Sequence, residues 1–372
     1  MTSAVPVRLA DYTTLHLGGP AGRFVAAAGE ADLVAAVREA DGCAEPLLVL
    51  GGGSNLVVGD EGFPGVVVLA AGGGVRLAAG DGVTLLTAAA GQDWDELVRQ
   101  CMAEGLSGVE CLSGIPGRAG ATPIQNVNAY GQDVAHTIIS VRVYDRLADA
   151  VLDMPAADCG FGYRTSVFKR QASPGRGASL NPAAATGRFV VLSVTFRLVQ
   201  SPLSAPVRYG ELSRLLDVPE GDRVPLADAR NAVLALRRGK GMVLDPADPD
   251  TRSAGSFFTN PVIGAARYDD LAAKVTAEAG GAVSIPHWPE PDGQVKVSAA
   301  WLIEHAGFSK GFAPSADPGE ARLSSKHTLA LTNPGGASTA SLIRLARQIR
   351  AGVAGKFGIE LVNEPVLVGV AL

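Results

Sequence analysis

Cysteine is scarce in this chain of 372 residues, and its spacing matches no metal or disulfide pattern. The four cysteines, Cys43, Cys101, Cys111 and Cys159, include no Cys-x-x-Cys pair. Zinc sites and disulfide frameworks both need closer or more regular spacing than this. We therefore predict reduced thiols and no metal site.

Long apolar runs and an excess of positive charge are missing as well. The segment MTSAVPVRLADYTT lacks the basic start and apolar core of a signal peptide. Apolar stretches such as GVVVLAAGGGV are glycine-broken and shorter than the roughly 18 residues of a spanning helix. The net charge of −5 gives no general attraction for nucleic acid. We predict a cytoplasmic protein with neither a membrane nor a nucleic-acid partner.

The composition that is present is typical of a folded protein with two or three domains. Hydrophobic residues make up 47% of the chain and charged residues 19%. Helical periodicity at 31–40 precedes an apolar strand at 46–50. Asp81-Gly82 indicates a hairpin turn, and Asp93 followed by Glu96 indicates a capped helix start. The fold class predicted is α+β.

The pattern changes from about residue 246. We predict a strand at SFFTNPVI, helices near 267–279 and 298–306, and a long helix from Ser338. Two final strands, GIELVN and PVLVGVAL, are predicted on either side of Glu364.

A glycine turn, GGGSN at 51–55, joins two predicted strands. It is neither a GxGxxG motif opening a helix nor a P-loop, so a Rossmann site and a nucleotide triphosphatase are not indicated. Successive glycines let backbone N–H groups converge on an anion. A tight glycine hairpin explains the same residues, and taken alone it is the better interpretation.

Two long connectors follow. Residues 113–131, SGIPGRAGATPIQNVNAYG, combine glycines, stiffening prolines and polar side chains, which suits a loop that wraps a flat ring system with polar edges. Residues 170–187 have the composition of a linker and are predicted to form a mobile surface loop.

The motifs taken together are more specific than any one of them. GGGSN followed by SGIPGRAGATPIQN resembles the FAD-binding half of the vanillyl-alcohol-oxidase (PCMH) type of domain. FGYRTSVFK (161–169), DPADPDTRSAGSFFTNP (245–261) and LVNEPVLVG (361–369) follow in the order found in the UDP-N-acetylenolpyruvoylglucosamine reductase family. The resemblance runs from about residue 11 to the last residue.

This resemblance implies a two-lobed FAD domain followed by an α/β substrate-binding domain. The limits expected are 1–73 and 74–245 for the lobes and 246–372 for the C-terminal domain, with a return of its last strands to the first lobe left open. FAD is expected to bind non-covalently, with NADPH as the reductant. The FAD-binding residues implied are Gly51, Gly52, Gly53, Ser54, Asn55, Ser113, Gly114, Pro116, Gly117, Gly120, Ala121, Thr122, Gln125 and Asn126.

The family reduces the enol-ether double bond of UDP-N-acetylglucosamine enolpyruvate in peptidoglycan precursor synthesis. The resemblance implies that hydride passes from flavin N5 to the methylene carbon and that Ser256 protonates the neighbouring carbon. Arg164 and Glu364 match the family's arginine and glutamate, which act on the carboxylate side. Without the family match, a core-strand serine, a surface ion pair and an edge charge would explain the three residues better.

Four more residues are implied as substrate contacts. Tyr163 and Asn260 lie in the matching motifs, and Tyr209 matches a tyrosine found in the subtype with an extra tyrosine loop. Lys240 is a candidate for the diphosphate, with a solvated charge at a helix end as the alternative. The family resemblance implies a UDP-sugar partner and a monomer.

Three rival functions remain open from the residues alone. One is another FAD-dependent oxidase or dehydrogenase acting on alcohols or sugars, which often tethers FAD through His or Cys. None of the five histidines lies in the two FAD loops. The second is a non-catalytic flavin or UDP-sugar binding module. The third, a serine hydrolase, is disfavoured because AGSFF is not a GxSxG motif.

Overall fold

A computed structural model describes residues 6–170, 186–281 and 283–372. Most of the predicted 170–187 loop therefore lies outside the described residues. The chain divides into two units. Unit 1 comprises Met1–Tyr12, Gly19–Ser54 and Gly62–Leu244, and unit 2 comprises Thr13–Gly18, Asn55–Glu61 and Asp245–Leu372.

Strands and helices alternate irregularly along the first 244 residues. Their bounds are β1 (Ala21–Ala27), α1 (Glu30–Gly42), β2 (Leu47–Leu50), β3 (Leu56–Val58), β4 (Phe63–Ala70), β5 (Val75–Ala79), β6 (Val83–Ala89), α2 (Trp94–Ala103), β7 (Leu106–Ser107), α3 (Thr122–Gln125), β8 (Asn128–Ala129), β9 (Gln132–Asp133), β10 (Ile138–Asp145), β11 (Ala150–Pro155), α4 (Val167–Arg170), β12 (Phe189–Gln200), α5 (Gly210–Leu216) and α6 (Leu226–Gly239).

The remaining residues add shorter strands and the longest helix of the described chain. Their bounds are β13 (Ser253–Ser256), β14 (Val262–Gly264), α7 (Ala265–Ala279), β15 (His287–Glu290), β16 (Gln294–Val297), α8 (Ala299–His305), β17 (Arg322–Leu323), β18 (Ala330–Thr332), α9 (Thr339–Phe357) and β19 (Val366–Val368).

The described part of unit 1 contains two larger sheets of opposite character and the short β8–β9 pair. The first is parallel, in the order β1-β4-β2. Its central strand is fully buried at Val66, Val67 and Val68, which explains the continuous valine run in the sequence. The second sheet is antiparallel along the path β11-β10-β12-β6-β5.

Local signals predicted one hairpin of the second sheet and the start of helix α2 correctly. β5 and β6 pair across the Asp81-Gly82 hairpin, with Gly82 at φ +67. Asp93 is the N-cap of α2, and its carboxylate accepts the Glu96 N–H at 3.1 Å. The predicted hairpin and helix start are both confirmed.

Unit 2 is built around α9. Leu342, Leu345, Ile349 and Val353 are fully buried along one face of this helix, and the Ser338 side chain caps its start. The sheets of this unit have the orders β13-β18-β17, β14-β16-β15 and β19-β3.

Two predicted strands at the start and end of this unit are wrong in detail. SFFTNPVI is not one strand, because β13 ends at Ser256 and β14 begins only at Val262. GIELVN forms no regular strand, although Phe258 and Asn363 make an isolated antiparallel bridge.

Across the described residues, no helix combines the length and the apolar character that crossing a membrane requires.

Candidate active site

The two glycine-containing loops of unit 1 touch each other through backbone atoms. A Cβ added to Gly52 would lie 2.7 Å from Gly117 Cα, and one added to Gly117 would lie 2.8 Å from Ser54 Oγ. Gly53 and Gly117 have φ values of +59 and +126, which favour glycine. The contact between the loops therefore depends on the absence of side chains at these positions.

An acidic residue of α2 anchors the second loop. The Gly114 N–H donates to Asp95 Oδ1 at 2.6 Å, and Arg230 pairs with both Asp95 oxygens at 2.7 and 2.8 Å. Burial of Asp95 opposes its charge, but the bonds from Arg230 and Gly114 outweigh burial and hold its pKa below the usual range. Asp95 thus fixes the backbone at the start of the predicted FAD loop.

Two hydroxyl residues of this loop that were predicted to bind FAD, Ser113 and Thr122, donate to the backbone of neighbouring residues. Ser113 is fully buried and donates to the Glu110 carbonyl at 2.6 Å, and Thr122 donates to the Ala119 carbonyl at 2.8 Å. The Gly120 N–H donates to the Ala90 carbonyl, and a Cβ on Gly120 would lie 2.5 Å from Ala90 Cβ. Ser113, Gly120 and Thr122 therefore set the shape of the loop.

The end of this loop holds the turn that carries Arg164. Asn126 adopts φ +42, and its Nδ2 donates to the Gly162 carbonyl at 3.0 Å. The Ser166 hydroxyl donates to the Ile124 carbonyl at 2.8 Å. Gly162 and Thr165 bond reciprocally through their backbones, so the 162–165 turn is closed on itself.

Arg164 occupies the strained position of this turn, at φ +50. A left-handed conformation is uncommon for a non-glycine residue and is often found at functional sites. Tyr163 is 38% exposed. The structure thus brings together the predicted residues Asn126, Tyr163 and Arg164, and Lys169 reaches Gln125 Oε1 at 2.8 Å on the same segment.

Arg237 is a buried cation that the sequence predictions missed. Its side chain is 7% exposed, and its buried Nε has no hydrogen-bond partner within the part of the chain that the structure describes. Burial lowers the pKa of Arg237, and the positive charge of Arg164 acts in the same direction. Two nearby guanidinium groups create a positive potential suited to an anionic ligand.

Lys240 and Tyr209 belong to one cluster in unit 1. Lys240 Nζ pairs with Glu211 at 2.6 Å and lies 5.6 Å from the centroid of the Tyr130 ring. Tyr130 contacts Tyr209 edge-on at a centroid distance of 5.3 Å. Burial raises the pKa of Tyr130 to about 12. Lys240 is therefore held in an aromatic and acidic cluster instead of extending into solvent.

In unit 2, a backbone hydrogen bond joins the two segments that carry the predicted catalytic residues Ser256 and Glu364. Ser256 pairs with Ala330 across the β13–β18 ladder, and its Oγ lies 3.5 Å from His327 Nε2. The Glu364 N–H donates to the Phe257 carbonyl at 2.9 Å. Phe257 and Phe258 are each 1% exposed, so Ser256 is followed by two buried aromatic side chains.

Comparison with known proteins decides the family. Residues 246–368 match the model described as "UDP-N-acetylenolpyruvoylglucosamine reductase, C-terminal domain", and residues 21–151 match "FAD binding domain". A UDP-N-acetylenolpyruvoylglucosamine reductase from Thermobifida fusca is 56% identical over 367 residues, covering 98% of each chain. The chain belongs to the UDP-N-acetylenolpyruvoylglucosamine reductase family.

Other members of this reductase family agree over the whole length. A Salinispora arenicola reductase is 56% identical and covers 98% of this chain and 95% of its own. The crystal structure of UDP-N-acetylenolpyruvylglucosamine reductase from Thermus caldophilus superposes with a TM-score of 0.63 at 25% identity, covering 98% of both chains. The predicted family and the PCMH-type FAD fold with a C-terminal domain are confirmed, which disfavours the hydrolase and binding-module alternatives.

The residues present fit the FAD that this reductase family uses. The loops at 51–54 and 113–121 approach so closely that only glycine is accommodated at Gly52 and Gly117. In unit 2, Asn55 Nδ2 is buried without a hydrogen-bond partner among the described residues. A buried unsatisfied donor is costly unless a ligand pairs with it, so Asn55 suits a polar group of a bound cofactor.

A cavity of about 300 Å³ lies in unit 1. It is bordered by the ends of β1 and β4 at Ala27 and Ala70, by the 72–74 segment and by Ala90 and Gly91. None of the predicted FAD residues lines it, but the Ala90 carbonyl accepts the Gly120 N–H, so the cavity adjoins the second loop.

The role of Asp95 in anchoring the second loop can be tested by replacing it and measuring the unfolding temperature at several pH values. The folded pKa of Asp95 is lowered, so its stabilising effect is complete above the unfolded pKa of about 3.9 and is lost as the pH falls through the folded value. We expect Asp95→Asn to lower the unfolding temperature at pH 6. That difference from the unsubstituted protein should shrink as the pH falls below the unfolded pKa of about 3.9 and vanish once Asp95 is protonated in the folded protein. A constant difference at every pH would contradict the role of the charge.

Proposed function

We propose that the chain reduces UDP-N-acetylglucosamine enolpyruvate to UDP-N-acetylmuramate with NADPH, in peptidoglycan precursor synthesis. Membership of the reductase family supports this reaction, and the match at 21–151 supports FAD as the cofactor. When bound, FAD supplies two-electron chemistry between NADPH and the sugar nucleotide. The protein supplies binding, orientation and the proton.

Ser256 donates that proton. Reduction at the methylene carbon of the enolpyruvyl group leaves negative charge on the neighbouring carbon and its carboxylate. This carbon is a strong base, so an alcohol is acidic enough to protonate it when held in place. The single observation that carries the assignment is the position of Ser256 Oγ at 3.5 Å from His327 Nε2, beside the buried Phe257.

The carboxylate needs a cation, and two arginines can provide it. Arg164 matches the family motif and is held in the strained 162–165 turn. Arg237 is buried and close enough to Arg164 for the positive charge of Arg164 to lower its pKa. A guanidinium binds a carboxylate or enolate oxygen through two parallel hydrogen bonds. Glu364 is assigned to the carboxylate side by its match to the family motif, and its backbone N–H bonds to Phe257, the residue after Ser256.

Tyr163, Tyr209, Lys240 and Asn260 contact the rest of the substrate. The Tyr130–Tyr209 contact and the Lys240 ion pair support a preformed surface for the UDP end. Asn260 Oδ1 accepts the Ala299 N–H at the start of α8, which fixes its side chain. The Tyr209 cluster and the segment 265–300 support the subtype with the extra tyrosine loop.

The organisation of the chain follows the family. We assign 1–73 and 74–245 to the two FAD lobes and 246–372 to the substrate-binding domain, and we assign a monomer in the cytoplasm. NADPH and UDP-sugars are nucleotide metabolites of that compartment, and all four cysteines are free thiols. Size-exclusion chromatography with light scattering tests the monomer.

The visible spectrum of the purified protein tests the function as a whole. We expect a yellow protein whose flavin bands are bleached by NADPH and restored by UDP-N-acetylglucosamine enolpyruvate. UDP-N-acetylglucosamine, which lacks the enolpyruvyl group, is the control and should leave the bleached state unchanged. A colourless protein that takes up no added FAD would contradict the cofactor, and bleaching without recovery would contradict the substrate.

A further inference from the structure

A histidine lies beside the hydroxyl group assigned as the proton donor. Ser256 Oγ and His327 Nε2 are 3.5 Å apart, and catalytic hydrogen bonds are commonly long before the substrate binds. His327 lies outside every motif that carries the family resemblance. We propose that His327 is a positioning residue that orients the Ser256 hydroxyl and returns a proton to it, an inference that rests on the function proposed above.

The fold of unit 2 holds the two side chains in this relation. Ser256 faces Ala330 on the neighbouring strand, and the Ala330 N–H donates to the His327 carbonyl at 3.0 Å. The His327 N–H donates to Ser324 Oγ at 3.1 Å, and Ser324 is fully buried. Since these bonds use the backbone of His327, they fix the start of its side chain and survive its replacement.

The neighbouring residues of the 324–328 segment bind acidic side chains of other elements. Lys326 pairs with Asp248 at 2.5 Å. The Ser325 hydroxyl donates to Asp250, and the Thr328 hydroxyl donates to Glu304. Glu364, from the segment after α9, bonds through its backbone to Phe257, next to Ser256. The residues on both sides of His327 are thus anchored by side chains of other elements, which holds the 324–328 segment in place.

The proton balance is complete without a further reactant. The Ser256 O–H bond breaks as the new C–H bond of the lactyl group forms, which leaves the serine oxygen negatively charged. The Nε2–H of protonated His327 then gives its proton to that oxygen and becomes neutral imidazole. Water restores the proton on His327, and this is the proton that the overall reduction by NADPH consumes.

The test uses the FAD-loaded protein and separates the two half-reactions. In stopped-flow measurements, His327→Gln and His327→Ala should leave bleaching by NADPH unchanged. Recovery of the flavin bands with the enolpyruvyl substrate should slow by at least about tenfold, less than the 10²–10⁴-fold of a direct proton donor. His305→Gln is the matched control, because His305 is exposed and stacks on Trp301.

A double-mutant cycle distinguishes this role from a structural one. If His327 acts through the serine, adding His327→Gln to Ser256→Ala should change the rate by less than about twofold. Equal slowing in both backgrounds would overturn the proposal, as would a normal rate for His327→Gln beside a slow Ser256→Ala. A normal rate for Ser256→Ala would instead overturn the proposed role of the serine itself. Should His327→Ala not fold, His327→Gln carries the test, because it keeps a polar side chain that cannot carry a proton between pH 5 and 8.

Discussion

Ser256→Ala is expected to abolish turnover while the flavin is still reduced by NADPH. The alanine cannot give a proton to the carbon next to the carboxylate, and positioned proton donors contribute about 10²–10⁴-fold to a rate. The first half-reaction needs no proton from this residue. We therefore expect normal bleaching by NADPH and a recovery with the enolpyruvyl substrate that is slower by that factor, measured by stopped-flow absorbance.

Ser253→Ala is the control for this variant. Ser253 lies on the same strand, is buried, and its Oγ accepts only a long bond of 3.3 Å from the Gly255 N–H. The Ser253→Ala variant also loses a serine hydroxyl group, and its flavin bands should recover at the normal rate. If the flavin bands of Ser256→Ala recovered as fast as those of the unsubstituted protein, Ser256 would not be the proton donor. Slow bleaching by NADPH would indicate damage to the flavin site instead.

Gly52→Ala is expected to weaken FAD binding, because the added methyl group would collide with the backbone of the other glycine loop. Its Cβ would lie 2.7 Å from Gly117 Cα, well inside the roughly 3.5–4.0 Å of a normal carbon contact. Backbone atoms of both loops must then separate. Overpacking of this kind costs about 1–3 kcal/mol, which corresponds to a rise in the dissociation constant of FAD of about 5–150-fold.

Titration of the apoprotein with FAD, followed by quenching of flavin fluorescence, measures this effect. Gly42→Ala is the matched control, because a Cβ on Gly42 at the end of α1 meets no atom within 4 Å. The control should bind FAD with unchanged affinity. If Gly52→Ala also bound FAD normally, the contact between the two loops would not be part of the cofactor site.

The features predicted correctly from the sequence depend on neighbours along the chain. The long helix predicted from Ser338 is α9, in which Leu342, Leu345 and Ile349 are buried because side chains three or four residues apart share a helix face. Asp93 and the Asp81-Gly82 turn act within three or four residues. The motifs that carried the family resemblance are also local.

The features that were missed depend on which distant segments meet. In SFFTNPVI, the Phe257 N–H bonds to the Leu329 carbonyl, but the Thr259 N–H bonds to the Val362 carbonyl. The segment therefore passes from one partner to another, and Pro261 offers no donor to continue a ladder. This exchange brings Ser256 beside Glu364, and His327 joins it across 71 residues. No local pattern contains that information.

Arg237 shows a signal that sequence reasoning could have used. In the RRGKG segment, Arg237 and Arg238 look equivalent by composition. Arg237, however, follows Val233 by four residues and Ala229 by eight, and both are fully buried on α6. Because the apolar stripe of a helix repeats at these spacings, the sequence pattern places Arg237 on the buried face of α6.

The pairing of β3 with β19 has a consequence for biosynthesis. Leu56–Val58 is translated early, but its partner, Val366–Val368, emerges about 310 residues later. At roughly 5–20 residues per second, the ribosome needs about 15–60 s to make the intervening chain. During that time the exposed edge of the early segment is available to other chains. A chaperone that shields nascent polypeptides should therefore raise the yield of this enzyme.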